Sequence, residues 1–265
     1  MTDDDSLRTG GAVLIDADTV SPEDFRIGPG EPARVRPLRK LEDGALRSGL
    51  LRLPRGWSSR TRLRVSATVQ FLVRRGQVAA GSRILPADAF VVVPAGGTMP
   101  VITAMPEAEL LVIFDQGLSF EEVSGGGDDG GDAVITGNVY EIEPIVPVIA
   151  GRPLIGFERR VLWIDPVSGA DTRLLRIPAG FSGQGPNWHP VNEEIFCLDG
   201  EIAPAVDRTM KAGWFLWNPA RTVHGHHEVT LSGCTLLEWH DGPWELVRWA
   251  APTQQTTAQA PGGNG

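Results

Sequence analysis

From residue 45 onward, apolar residues fall on alternate positions in short runs that end on glycine or proline. Residues 45–53 alternate before the turn Pro54-Arg55-Gly56, and residues 66–73 run up to Arg74-Arg75-Gly76. Residues 89–93 form a β-branched run stopped by Pro94, and residues 110–114 read as a further strand. The pattern returns at 160–164, 172–177, 194–198, 214–217 and 236–240. A period of two puts successive side chains on opposite faces of a strand. Many short strands between turn signals predict a barrel or sandwich. No dozen-residue window sustains apolar spacing at i, i+3, i+4 and i+7, so helix is expected at most as one turn around 106–110.

The later strands repeat the order of the earlier ones, and Pro178-Ala179-Gly180 parallels Pro54-Arg55-Gly56. That repeat predicts an all-β chain of two tandem barrels, one over residues 11–123 and one over 133–250. Between them, residues 124–132 (SGGGDDGGD) cannot bury apolar surface and read as a linker. Residues 1–10 and 251–265 are expected to be disordered. Ala12-Val13-Leu14-Ile15 reads as an edge or swapped strand. Prolines 22, 29, 32 and 37 argue against helix in the segment after it. Residues 134–149 are β-prone but interrupted at Pro144 and Pro147.

Composition narrows the functional classes. The 265 residues are 42% hydrophobic and 22% charged, with a net charge of −9. This fits an ordinary soluble protein and gives no electrostatic support for nucleic-acid binding. No apolar run approaches the ~20 residues of a membrane-spanning helix. The acidic start Met1-Thr2-Asp3-Asp4-Asp5 lacks the apolar core of a signal peptide, so a cytoplasmic location is expected. Cys197 and Cys234 fall in predicted strands and read as buried, reduced thiols. Trp163, Trp188, Trp214, Trp217, Trp239, Trp244 and Trp249 crowd the second half. They suit a core and a homodimer interface, with one or two left to wall a pocket for a planar substrate.

The candidate chemistry lies in that half. In an extended segment Asn187, His189 and Glu193 share a face, because they are even numbers of residues apart. After Gly213 and a short apolar strand come Pro219 and then His224. These two blocks resemble the paired motifs of the cupin superfamily: His189, Glu193 and Gly200 match the first, and Gly213, Pro219 and His224 match the second. Leu162-Trp163-Ile164-Asp165 and the segment 168–172 resemble the lead-in of uncharacterised bacterial cupins of the ChrR-like type. The chain departs from the pattern at Asn187, where a first metal histidine is expected, at Arg221 in place of glycine, and at Glu228 in place of asparagine.

The resemblance implies two jelly-roll barrels, the C-terminal one binding metal and the N-terminal one degenerate. In the first half, Arg62 and Arg64 fall where histidines are expected beyond Gly56, and Met99 falls where the second-motif histidine belongs. Arginine has no lone pair to donate, so that half is expected to hold no metal. In the second, His189, Glu193 and His224 form a two-imidazole, one-carboxylate set, with Asn187 as a weak fourth ligand. Such a set suits one divalent transition metal, Fe(II) first and Mn(II), Ni(II), Co(II) or Zn(II) next. His226, two residues past His224, is a candidate acid/base. Glu194 is expected to be solvated, and His227 and His240 to lie outside the site. The implied function is a metal-dependent enzyme acting on a small organic molecule, foremost an Fe(II)-dependent oxygenase. A metal-assisted isomerase, cyclase or decarboxylase of a dicarbonyl or aromatic compound is the alternative, and a non-catalytic metal- or ligand-sensing cupin the other. Gly125-Gly126-Gly127 lacks the strand-to-helix context of a phosphate loop, and no CxxC zinc pattern occurs.

Overall fold

The computed structural model describes residues 11–124, 131–149, 151–183 and 185–249. The segments 1–10 and 251–265 and residues 125–130 of the expected linker lie outside them. The chain is all-β, and two single-turn 3-10 helices, Ala17–Thr19 and Val139–Glu141, are its only helical pieces among the described residues. The turn expected near 106–110 is instead the entry to the strand Ala108–Phe114. None of the helices is long and apolar enough to cross a membrane.

Each half builds one large antiparallel sheet, and the two sheets run in the same order. The first reads Val134–Thr136, Phe90–Val93, Val69–Arg75, Ala108–Phe114, Leu46–Leu53, Ala33–Lys40, Glu23–Phe25. The second reads Val13–Asp16, Trp214–Asn218, Glu193–Ala205, Cys234–His240, Asp171–Ile177, Glu158–Ile164. The edge strands are exchanged. Val13–Asp16, from the start of the chain, pairs with Trp214–Asn218 of the second barrel. Val134–Thr136, from beyond the glycine-rich segment, pairs with Phe90–Val93 of the first. Each half thus covers the open edge of the other, an edge that would otherwise present unpaired N–H and C=O groups.

The repeat extends to single residues. Gly76, just after Val69–Arg75, and Gly200, at the equivalent point within Glu193–Ala205, have φ of 75° and 74°. A Cβ at Gly76 would lie 2.0 Å from the Glu107 carbonyl oxygen, and one at Gly200 would lie 2.1 Å from that of Gly233. Only glycine accepts both the left-handed backbone and that approach. At the second-motif turn, Gly96 (φ 78°) corresponds to Arg221 (φ 64°), so arginine here holds a conformation that favours glycine.

Three apolar clusters hold the fold. One fills the first barrel, with Leu53, Leu63, Val65 and Val91 fully buried. A second lies between the two large sheets, where Leu72, Phe90 and Leu111 meet Phe196, Leu237 and Trp239. The third lines the second barrel. Cys197 and Cys234 are buried and free, and burial pushes both thiols up to about 12.

The first barrel departs from the sequence expectation by one residue. Leu63 and Val65 point into its core, whereas Arg64 is exposed and Arg62 half-buried. The register fixes the correspondence. Met99 pairs with Leu63 as His224 pairs with Asn187, so Leu63, not Arg62, occupies the place of Asn187. A slip of one in a period of two exchanges inside for outside. Met99 is inward as expected, 4% exposed in the apolar cluster.

Glu194, expected in solvent, is 1% exposed between the barrels. Its Oε1 accepts from Arg39 Nη1 at 2.6 Å and Arg47 Nε at 3.0 Å, and its Oε2 accepts from Ser48 Oγ at 2.7 Å. The symmetry-equivalent contact, Thr172 Oγ1 to Gln70 Oε1 at 2.6 Å, uses neutral groups. Removing one partner of a buried ion pair leaves the other charge uncompensated. Glu194→Ala should therefore lose roughly 3–5 kcal/mol in urea denaturation, and Gln70→Ala clearly less.

Candidate metal centre

Local backbone pairing brings the candidate residues together. The short strand Asn187–Trp188 pairs with Val247–Arg248. Asn187 also exchanges both backbone hydrogen bonds with His224, at 2.8 and 2.9 Å. Residues so paired point to one side, and His189, two residues on, joins them. Arg221 N–H donates to the His189 carbonyl at 2.7 Å and anchors the turn that presents His224. Glu193 opens the long central strand and faces the same interior, 5% exposed.

His189, Glu193 and His224 each offer a ligand atom, all within 4.8 Å of one another. His189 Nδ1–H donates to the Glu245 carbonyl at 2.8 Å, and His224 Nδ1–H donates to the Thr222 carbonyl at 2.9 Å. Those bonds leave both Nε2 atoms as acceptors, and the two atoms face each other at 3.1 Å. Two lone pairs at that distance repel unless a cation or a proton lies against both. Burial holds the His189 imidazole below its ordinary value, opposed by Glu193 and joined by His224, so it is neutral near pH 7. Neutral imidazoles oriented through Nδ1 by carbonyl oxygens are the form that metals bind.

Glu193 is held from all sides. Asn218 Nδ2 donates to its Oε2 at 2.9 Å, and Trp244 Nε1 and His240 Nε2 reach its Oε1 at 3.3 Å each. Burial alone would raise this carboxyl, but His189, then His240 and His224, overcome it and hold Glu193 well below the ordinary range. His240, expected outside the site, thus stands directly behind its carboxylate. Its other nitrogen bonds Asp171 at 2.6 Å, and Asp171 is bound in turn by Arg173. Desolvation would lower His240, yet its bonds to Asp171 and Glu193 raise it above the ordinary value.

Asn187 is buried, and its Oδ1 has no hydrogen-bond partner among the described residues. Its Nδ2 lies 2.4 Å from the point where a Cβ of residue 225 would sit, so Gly225 (φ 75°) makes room for the amide. The orphan Oδ1 and the facing Nε2 atoms both fit a divalent cation, with Asn187 as a weak oxygen donor or the acceptor of a ligand's proton. His226 is exposed, edge-on to Trp249 at 6.0 Å, and does not join the cluster. Trp244, counted in the sequence only among many tryptophans, covers the His189 ring at 4.9 Å. No local motif marks it.

The cluster forms part of the wall of a cavity of about 350 Å³ inside the second barrel, and the corresponding void in the first barrel is about 30 Å³. Residues 142–241 match the ChrR cupin-like domain. The fold is that of a two-barrel cupin. A proposed dioxygenase of Nostoc punctiforme PCC 73102 superposes with a TM-score of 0.76 at 18% identity, over 91% of this chain and 87% of that one. Oxalate decarboxylase of Bacillus subtilis superposes at 0.56 and 14% identity, over 90% and 79%. Hazelnut (Corylus avellana) vicilin does so at 0.51 and 11%, over 86% and 84%. Among curated proteins, none matches the chain in sequence.

Two more carboxyls face the cavity of the second barrel, Glu228 and Glu238. Burial raises Glu228. Burial, then Glu193, raises Glu238 to about 7 against the opposing pull of His240, Arg173 and Arg159. The folded protein keeps the Glu238 proton to about pH 7, whereas the unfolded chain releases it in the ordinary carboxylate range. Between those limits the folded state binds more protons, so stability falls as pH rises and levels off above about 7. Glu238→Gln should remove that loss. Its unfolding free energy should match wild type near pH 4 and exceed it at pH 8 by on the order of 3 kcal/mol, read from urea melts.

Proposed function

We propose that the second barrel is a metal-dependent active site for a small organic molecule, and that the protein is an iron(II)-dependent oxygenase. The observation that carries this reading is the convergence of two acceptor imidazole nitrogens and one ionised carboxylate on the wall of the barrel cavity. Two neutral imidazoles and one carboxylate leave coordination positions open, the arrangement that suits non-haem Fe(II). When bound, a divalent ion would supply Lewis acidity toward a substrate oxygen and, as iron(II), one-electron chemistry toward dioxygen.

The chain's own residues set the conditions for that chemistry. Asp171 and His240 hold Glu193 ionised and fixed in rotamer. Glu245 and Thr222 fix the tautomers of His189 and His224. Trp244 closes one side of His189 against water, and apolar groups such as Ile195, Leu216 and Leu236 surround the remaining space. Asn187 stands ready to orient a hydroxyl or water through its unpaired Oδ1. Solved structures that superpose on this chain include a proposed dioxygenase and a decarboxylase, both compatible with such a site. One feature favours a second reading, metal-assisted isomerisation or decarboxylation. Glu238 carries a proton into the neutral range beside the cavity and can give it to a carbanion or enolate.

Metal analysis tests the site first. Wild type should hold about one divalent ion per chain, and His189→Ala and His224→Ala should each remove most of it. Asn187→His should tighten binding by adding a nitrogen donor. Dicarbonyls and phenols should then be assayed with Fe, Mn, Zn and Ni, with and without air. The oxygenase reading expects turnover with Fe(II) coupled to oxygen consumption. Equal turnover without oxygen, or with zinc alone, would establish the isomerase or decarboxylase reading instead.

A further inference from the structure

The interior of the second barrel holds a charged layer beside the metal cluster that the first barrel lacks. Glu238 lies opposite Arg173 in the sheet register, and Val112 lies opposite Gly49 in the equivalent pair of the first barrel. Arg159 lies opposite Leu175 as Val35 lies opposite Leu51. One barrel therefore places arginine, arginine and glutamate where the other places valine, glycine and valine. The valines are fully buried or nearly so and complete a packed core. Their charged counterparts belong to a barrel with a cavity.

These polar groups are not used up within the protein. Among the described residues no hydrogen bond reaches the Glu238 carboxyl or the Arg159 guanidinium, whose Nε is buried. Both line the cavity. Arg173 is committed to Asp171 through Nε and Nη2 but keeps a buried, unpartnered Nη1. Both guanidinium groups lie over Trp244, at 5.3 Å for Arg159 and 4.7 Å for Arg173. The same indole ring covers His189. Asp171 offsets Arg173, and Glu193 offsets His240. Among the described residues no salt bridge offsets Arg159, whose Nε is buried without a partner. Buried donors without acceptors are costly, and unpartnered guanidinium N–H groups suit an anionic acceptor.

We propose that Arg159 and Glu238 form a carboxylate-binding subsite of the cavity, so that its ligand is a small organic acid. The carboxylate accepts from Arg159 and from protonated Glu238, with Arg173 adding positive potential from behind. The apolar body of the acid lies along Leu175, Ile195 and Leu236. This rests on the reading of the cavity as a substrate site and gives that substrate a chemical class.

The test is calorimetric, on the full chain, with benzoate and hexanoate against benzamide and hexanamide at pH 6.5. It is run on the zinc-loaded and on the chelator-treated protein, so that a failure of the metal reading shows separately. Wild type should prefer each acid over its amide by about tenfold or more in both states. Arg159→Gln, checked for folding by its thermal melt, should abolish the preference while leaving zinc stoichiometry unchanged. Arg159→Lys should restore part of it, and Glu238→Gln should keep it, since the amide still donates. No preference in wild type, or a preference that survives Arg159→Gln, would overturn the proposal.

Discussion

Two imidazole nitrogens, each made an acceptor by a carbonyl on the far side of its ring, face one another at 3.1 Å inside a barrel. That contact is unfavourable in isolation, and much of the second half is arranged to impose it. The paired backbone of Asn187 and His224 sets the strand-to-loop spacing. Gly225 lets the Asn187 amide approach, and Arg221 accepts a left-handed backbone to tie the turn to His189. A site assembled before its ion arrives spares the ion the cost of ordering it. The strain is spread over several residues, each held by its own backbone bonds.

Such an interior is expensive, and the first barrel offsets it. Its corresponding positions are Leu63, Val65, Val69 and Met99, all buried in one apolar cluster around a void of about 30 Å³. The large sheets then pack face to face through a second apolar cluster and exchange edge strands. The hollow barrel therefore has its back covered and its edge paired by a solid one. Glu194 fits this division of labour. It stands one residue from Glu193 on the same strand and points the other way, and its two arginines come from the first barrel. Adjacent carboxylates on one strand thus serve opposite faces, one building the cavity and the other joining the halves.

Much of this was legible from spacing. The period of two gave the strands, the repeated Pro-x-Gly turn gave the two-barrel order, and the distances among His189, Glu193 and His224 located the cluster. The misreadings have a common physical origin. Parity in a strand is unforgiving, and counting from Gly56 landed on Arg62 when the inward residue is Leu63. Leu63 stands as far beyond Gly56 as Asn187 stands beyond Gly180. Glu194 looked solvated because nothing local shows that a second sheet covers its face. His240 and Trp244 were invisible as site residues because they reach Glu193 from a strand and a loop distant in sequence. The resemblance to a family supplies ligands by position, whereas the residues behind them are chosen by packing particular to this chain.

Those residues also fix where protons reside. Glu193 and Glu238 are both buried in one barrel, yet their surroundings push them in opposite directions. Asn218 Nδ2, Trp244 Nε1 and His240 Nε2 surround the Glu193 carboxylate, which stays well below the ordinary range. Burial and the neighbouring Glu193 charge raise Glu238 to about 7 against the pull of His240, Arg173 and Arg159. Separating two carboxyls in this way assigns one to charge and the other to proton donation. The assignment leans on His240, which its bonds to Asp171 and Glu193 raise above the ordinary imidazole value. Asp171 is itself balanced by Arg173, whose register partner across the sheet is Glu238. The chain of contacts returns to the cavity it started from. A change at any one of these side chains should therefore alter the proton inventory of the whole interior, beyond the single contact it removes.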